Sequence, residues 1–94
     1  MAILGTVNKQ SREVLDFDID YTTVLAGRSD TIASQTSEVS PSGLVLDSTT
    51  RSGNVVKVTF SAGTNAILYK VTVLATTTAG LVYEDEVNVL VGDV

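Results

Sequence analysis

Ile67-Leu68-Tyr69-Lys70-Val71-Thr72-Val73-Leu74-Ala75-Thr76-Thr77 is the stretch on which the fold turns. In an extended chain successive side chains point to opposite faces. Ile67, Tyr69, Val71, Val73 and Ala75 then share one face, with Leu68, Lys70, Thr72 and Leu74 on the other. A helix would scatter the same residues around its circumference. The β-branched Val and Thr side chains are also stiff in a way that suits a pleated surface. The stretch reads as a core strand.

The same period of two extends in both directions. Across residues 81–91, Tyr83, Val87, Val89 and Val91 alternate with Glu84, Glu86 and Asn88. Asp85 falls on the apolar side of that strand, which marks an edge, a bulge or a charged partner. Val56, Val58 and Phe60 share one face of residues 55–60, and Leu15, Phe17, Ile19 and Tyr21 alternate with Asp16, Asp18 and Asp20. Residues 44–48 form a short strand. Residues 30–39 are a weaker one, because several inward positions are polar.

Turn chemistry separates these runs: Ser40-Pro41-Ser42-Gly43, Arg51-Ser52-Gly53-Asn54, Ser61-Ala62-Gly63-Thr64-Asn65 and Thr78-Ala79-Gly80. A first strand near residues 3–7 brings the number to about seven. Ser11-Arg12-Glu13-Val14 is the one local helix candidate and is too short to stand. The expected fold is all-β, a sandwich of two antiparallel sheets packed face to face.

With 94 residues the chain supports one hydrophobic core, since two would each bury too little surface. Residues 1–12 read as a strand or a free arm, and residues 13–94 as the sandwich domain. Apolar residues make up 44% of the chain and charged residues only 18%, with a net charge of −5. That balance disfavours disorder, and also a nucleic-acid partner, whose phosphates demand clustered cations. An anionic membrane surface is disfavoured for the same reason, and no apolar run approaches a membrane span. Met1-Ala2-Ile3-Leu4-Gly5 lacks the basic start and the long apolar run of a signal peptide.

Cysteine and histidine are both absent. Disulfides and thiolate metal sites are therefore excluded, and Ser or Thr has no histidine base to activate it. No dinucleotide or phosphate-loop pattern surrounds the glycines. The expectation is a non-enzymatic module without a cofactor.

Four groups of residues are candidates for contacts. Asp16, Asp18 and Asp20 project from one strand face at roughly 7 Å intervals. They fail as a calcium loop, since Tyr21 stands where that loop needs Gly and Gly27 where it needs Glu. A solvated face, a docking stripe for a basic partner and a cation site remain open. Glu84-Asp85-Glu86 is a cross-strand partner for Lys57 or Lys70, or a second acidic contact surface. In the connection from Thr22 to Arg28, Val24 and Leu25 either mark an interface with Arg28 or fold back as a plug over the sandwich end. Ile3, Leu4 and Val7 belong to an ordinary strand, or to an arm that adds to a neighbour's sheet.

Residues 65–73 followed by Ala75-Thr76-Thr77-Thr78-Ala79-Gly80 resemble strand F and the F–G turn of an immunoglobulin or fibronectin-type domain. Tyr69 stands at the tyrosine-corner position, two residues before Val71, which occupies the place of the second antibody cysteine. The antibody cysteines and core Trp are missing, which rules out a close antibody relationship. A narrower resemblance spans residues 15–91. It is carried, in order, by Leu15-Asp16-Phe17-Asp18-Ile19-Asp20-Tyr21, Asp30-Thr31-Ile32-Ala33-Ser34, Pro41-Ser42-Gly43-Leu44, residues 54–64 and Tyr69-Lys70-Val71-Thr72-Val73 with the Ala79-Gly80 turn. This order is similar to that of small virion proteins of tailed bacteriophages, the fiber–tail adaptors.

The resemblance implies an adaptor joining neighbouring subunits at the tail, fiber or connector, made in the host cytoplasm and built into the virion. Its partners would be other virion structural proteins, with homo-oligomers in the particle. A capsid decoration or head-fiber module is the alternative location. A carbohydrate-binding or adhesin-like module is the alternative class.

Overall fold

The computed structural model describes the backbone of residues 2–93 and the side chains of residues 4–93. Among the described residues there are seven strands: β1 (Ala2–Lys9), β2 (Leu15–Asp20), β3 (Ile32–Ser40), β4 (Leu44–Ser52), β5 (Val55–Ala62), β6 (Leu68–Thr77) and β7 (Val82–Val91). A single short helix, α1 (Thr22–Ala26), connects β2 to β3. One sheet has the order β1-β7-β6-β3 and the other β2-β5-β4. The all-β sandwich of about seven strands is the fold observed.

Two details depart from the sequence-based reading. The sheets are not wholly antiparallel, because β1 runs parallel to β7, with Val7 opposite Val89 and Lys9 opposite Val91. No tight turn joins these two strands, so nothing in the local sequence dictates their relative direction. Helix α1 is the other departure. Tyr21 precedes it without a side-chain cap, and five residues are too few to show a 3.6-residue period. What holds the helix is Leu25, which is completely buried.

The core lies between the sheets. Val56, Val58 and Phe60 of β5 face Tyr69, Val71, Val73 and Ala75 of β6 and Val87, Val89 and Val91 of β7. These are the positions that period two assigns to the inner faces, with one exception. Ile67 precedes β6 and is partly exposed.

One end of the sandwich is organised around Tyr69. Its hydroxyl accepts a 2.8 Å hydrogen bond from the Thr64 backbone N–H, five residues upstream. Gly43 and Gly63 pack against the ring, both at positive φ. A Cβ on Gly43 would meet the Tyr69 hydroxyl at 2.7 Å, and one on Gly63 would meet Val91 Cγ2 at 2.7 Å.

Lys9 closes the same end. Its side chain is buried, and its ammonium donates to the backbone carbonyls of Ala62 at 2.6 Å, Gln10 at 2.8 Å and Ser11 at 3.1 Å. An ammonium has three protons and no acceptor capacity, so three carbonyls satisfy it. Beside it, Asp93 accepts from the Ser11 backbone N–H at 2.7 Å, and these Ser11 bonds hold its carboxyl below the usual range.

Asp30 braces the opposite end. Its Oδ1 accepts from Thr31 N–H at 2.8 Å and Ala79 N–H at 3.2 Å. The adjacent Thr77 hydroxyl is the largest influence holding its carboxyl below the usual range. Gly80 lies in the turn beside it and donates to the Thr77 carbonyl at 3.0 Å.

Candidate protein interface

The outer face of the three-stranded sheet carries the aspartate stripe. Asp16 and Asp18 stand opposite Thr59 and Lys57 of β5, and Lys57 Nζ lies 3.9 Å from Asp16 with both groups half exposed. Such a pair contributes at most about 1 kcal/mol. Asp18, Lys57, Thr50 and Arg51 line an open depression of about 350 Å³. Two cations of its own chain, Lys57 and Arg51, thus border this part of the stripe. No group of three carboxylates arranged to hold a metal occurs among the described residues.

The acidic run on β7 divides in the same way. Glu86 is buried on the outer side of the four-stranded sheet and meets Lys70 Nζ at 3.1 Å, the cross-strand pairing expected from sequence. Asp85 points to the other side. Its Oδ2 accepts a 2.6 Å hydrogen bond from the Tyr21 hydroxyl. The off-period carboxylate is thus explained by a partner, though a phenol and not a cation. Burial and the neighbouring Asp85 both raise the Tyr21 pKa well above its ordinary value near 10.

Tyr21 and Asp85 meet where β1 and β2 form the free edges of the two sheets. Between those edges lies a depression of about 240 Å³ lined by Leu4, Ile19, Asp20, Tyr21, Val24, Tyr83 and Asp85. The Tyr21 and Tyr83 rings pack at a tilt, 5.9 Å between centroids. Leu4 from β1 and Val24 from α1 stay 43% and 50% exposed beside it. Asp20 accepts from the Thr22 backbone N–H at 2.9 Å, and its bonds to Thr22 lower its pKa.

The chain matches, over residues 9–90, the family model described as podophage GP4 fiber-tail adaptor protein gp77. It belongs to this family. Membership makes the chain a phage structural protein and part of the virion. No curated protein matches the chain. The gp77-family match takes in β2 to β6 and nearly all of β7, while β1 lies outside it except for Lys9. Most of the depression therefore belongs to the family region, with Leu4 added from outside.

Among the contact candidates read from sequence, the structure brings Leu4, Asp20 and Val24 together at this depression. Asp16 and Asp18 are exposed on the face of the same strand. Arg28 is exposed beyond α1, close enough to Asp30 to help lower its pKa. Val7 is half-buried against the core, in a strand paired within its own chain. The Ile3 side chain lies outside the described side chains; its backbone pairs with Glu86.

Leu25 is a correction. As a candidate contact it was paired with Val24, but it is the plug, fully buried, while Val24 one residue away faces outward. Tyr69 and Val71 are buried core residues. Tyr21 and Tyr83 were not singled out as contact residues, because at period-two positions they look like ordinary core.

Proposed function

We propose that the chain is a non-enzymatic adaptor with an immunoglobulin-like sandwich, joining neighbouring subunits in the tail, fiber or connector region of the particle. The observation that carries this reading is the family match over residues 9–90. The fold supports the immunoglobulin-like part. β2, β5 and β4 share one sheet and β3, β6 and β7 the other, the same division as the B-E-D and C-F-G strands of constant-type domains. The hydrogen bond from Thr64 to Tyr69 supports the tyrosine-corner assignment.

The chain contains neither His nor Cys, which favours binding over catalysis. Its aromatic rings do not favour the sugar-binding alternative. Tyr21, Phe60 and Tyr69 are buried, and Phe17 and Tyr83 pack partly buried against the core. A flat exposed aromatic platform of the kind that stacks on sugars is missing among the described residues.

A symmetric homo-oligomer within the particle suits a short domain that must repeat its contacts around a ring. Native mass spectrometry of the purified chain, alone and with the tail, fiber and capsid proteins of its own particle, tests the reading. A defined complex with tail or fiber proteins is expected. A complex with capsid protein alone would move the role to decoration of the head, and a chain that ignores all of them would overturn the adaptor reading.

A further inference from the structure

The two lateral sides of the sandwich are built differently. On one side β3 and β4 are stitched together by polar side chains. Ser37 and Thr49 share a hydrogen bond between hydroxyls, and Arg51 Nη1 donates to Gln35 Oε1 at 2.9 Å. On the other side, no hydrogen bond crosses between β1 and β2 among the described residues. Below that open seam Tyr21 donates to Asp85, flanked by the half-exposed Leu4 and Val24, and only at the far end does Lys9 of β1 reach the Ala62 carbonyl of β5 among the described residues.

We infer that the seam between β1 and β2 is a docking groove for an extended segment of a neighbouring virion protein, one that presents an aliphatic side chain flanked by Lys or Arg. The inference deepens the adaptor reading and rests on it. Size sets the first condition. A depression of about 240 Å³ is smaller than the roughly 300–1,000 Å³ typical of small-molecule sites. It has room for a side chain or two. Its apolar walls, Leu4, Val24 and Tyr83, match an aliphatic group.

Charge sets the second condition. Asp20 and Asp85 both border the groove, and no Lys or Arg is among its lining residues. Four of the chain's six cations are committed elsewhere: Lys9 is buried, Lys57 and Lys70 face Asp16 and Glu86, and Arg51 holds Gln35. Arg12 and Arg28 are exposed but lie outside the groove's lining. A second copy of the chain would oppose carboxylates to carboxylates, which is repulsive. A cationic segment completes the pairing instead. The third condition is backbone: β1 and β2 are both edge strands, and edge strands carry unpaired N–H and C=O groups that an extended segment can join.

The test uses the whole chain against the purified tail and fiber proteins of its own particle, followed by overlapping synthetic peptides that cover the protein that binds. Val24→Asp and Asp20→Lys alter exposed groove positions, and Val82→Asp is a control at an exposed position of β7 outside the groove's lining. Thermal melts confirm that each variant folds. Both groove variants are expected to weaken binding about tenfold or more, with the control within about twofold. Binding peptides should carry Lys or Arg beside Leu, Ile or Val, and their affinity should fall with added salt.

Intact binding by both groove variants would overturn the groove while leaving the adaptor reading in place, and so would a bound peptide that is acidic. Self-association of the chain that Val24→Asp abolishes would assign the groove to a second copy and overturn it as well. If the wild-type chain binds none of these proteins, the adaptor reading fails first and the groove with it.

Discussion

The Tyr21 hydroxyl donates a 2.6 Å hydrogen bond to Asp85 Oδ2, bridging the two sheets where their edges stand open. Burial raises the Tyr21 pKa first, and the Asp85 carboxylate raises it further. In the unfolded chain the same phenol ionises near its ordinary value of 10. Above that pH the unfolded state releases a proton that the folded state keeps, so alkali favours unfolding. The contribution of Tyr21 is complete below its unfolded pKa and is lost as pH rises beyond it. Urea unfolding from about pH 8 to about pH 11 should show stability falling at the alkaline end. Tyr21→Phe should flatten that fall and cost about 1–3 kcal/mol at neutral pH, because Asp85 loses its donor.

Adjacent residues of α1 should answer truncation differently. Leu25→Ala empties a fully buried site and should cost about 2–5 kcal/mol. Val24→Ala, half exposed, should stay within about 0.5 kcal/mol. Equal costs in chemical denaturation would show that α1 is not anchored by Leu25.

Lys9→Met keeps a side chain of similar length but removes the donor shared by Ala62, Gln10 and Ser11 carbonyls. Leaving part-buried carbonyls unpaired should cost about 1–3 kcal/mol. For a domain of this size that is a fall in melting temperature of roughly 4–8 °C per kcal/mol, read by calorimetry. A melting temperature unchanged by the substitution would mean that solvent reaches these carbonyls.

Gly63→Ala forces a Cβ to within 2.7 Å of Val91 Cγ2 at a φ of +98°. Backbone strain and overpacking together should cost roughly 2–4 kcal/mol. Gly92→Ala has open space around it and serves as the control, expected to move stability little. Comparable denaturation midpoints for the two would refute the close packing around Tyr69.

How far the sequence reveals this molecule follows from which forces are local. Strands β2 and β5 were legible because each has a wetter and a dry face, and Asp16, Asp18 and Asp20 or Val56, Val58 and Phe60 record that alternation directly. β3 was faint because its exposed positions are Ala, Ser, Thr and Glu, and its inner ones include Gln35 and Ser37. β4 runs on to Ser52, four residues past the span of 44–48 read from sequence, because pairing with β5 continues after burial ends. Helix α1 left no periodic trace, and the burial of Lys9 could not be seen in a residue type that is usually solvated.

The candidate groove was legible only in pieces. Leu4, Asp20 and Val24 each stood out as residues without an obvious place, and Asp85 as a carboxylate on the wrong face. Their convergence depends on β1 lying alongside β7 and on α1 turning Val24 outward. Both are tertiary arrangements, and neither is written in local spacing.

The parallel register of β1 and β7 also fixes how the domain carries load. Ala2 lies level with Asp85 near the start of β7, and Lys9 is level with Val91 at its end. Residues 2 and 93 therefore lie toward opposite ends of a body 45 Å long. Tension between these two points pulls β1 and β7 past each other lengthwise, so their hydrogen bonds resist together, in shear, instead of opening one at a time like a zipper. Single-molecule pulling from these points should meet a higher rupture force than pulling apart the β4–β5 hairpin. A link between two parts of a particle that must survive tension gains from that geometry.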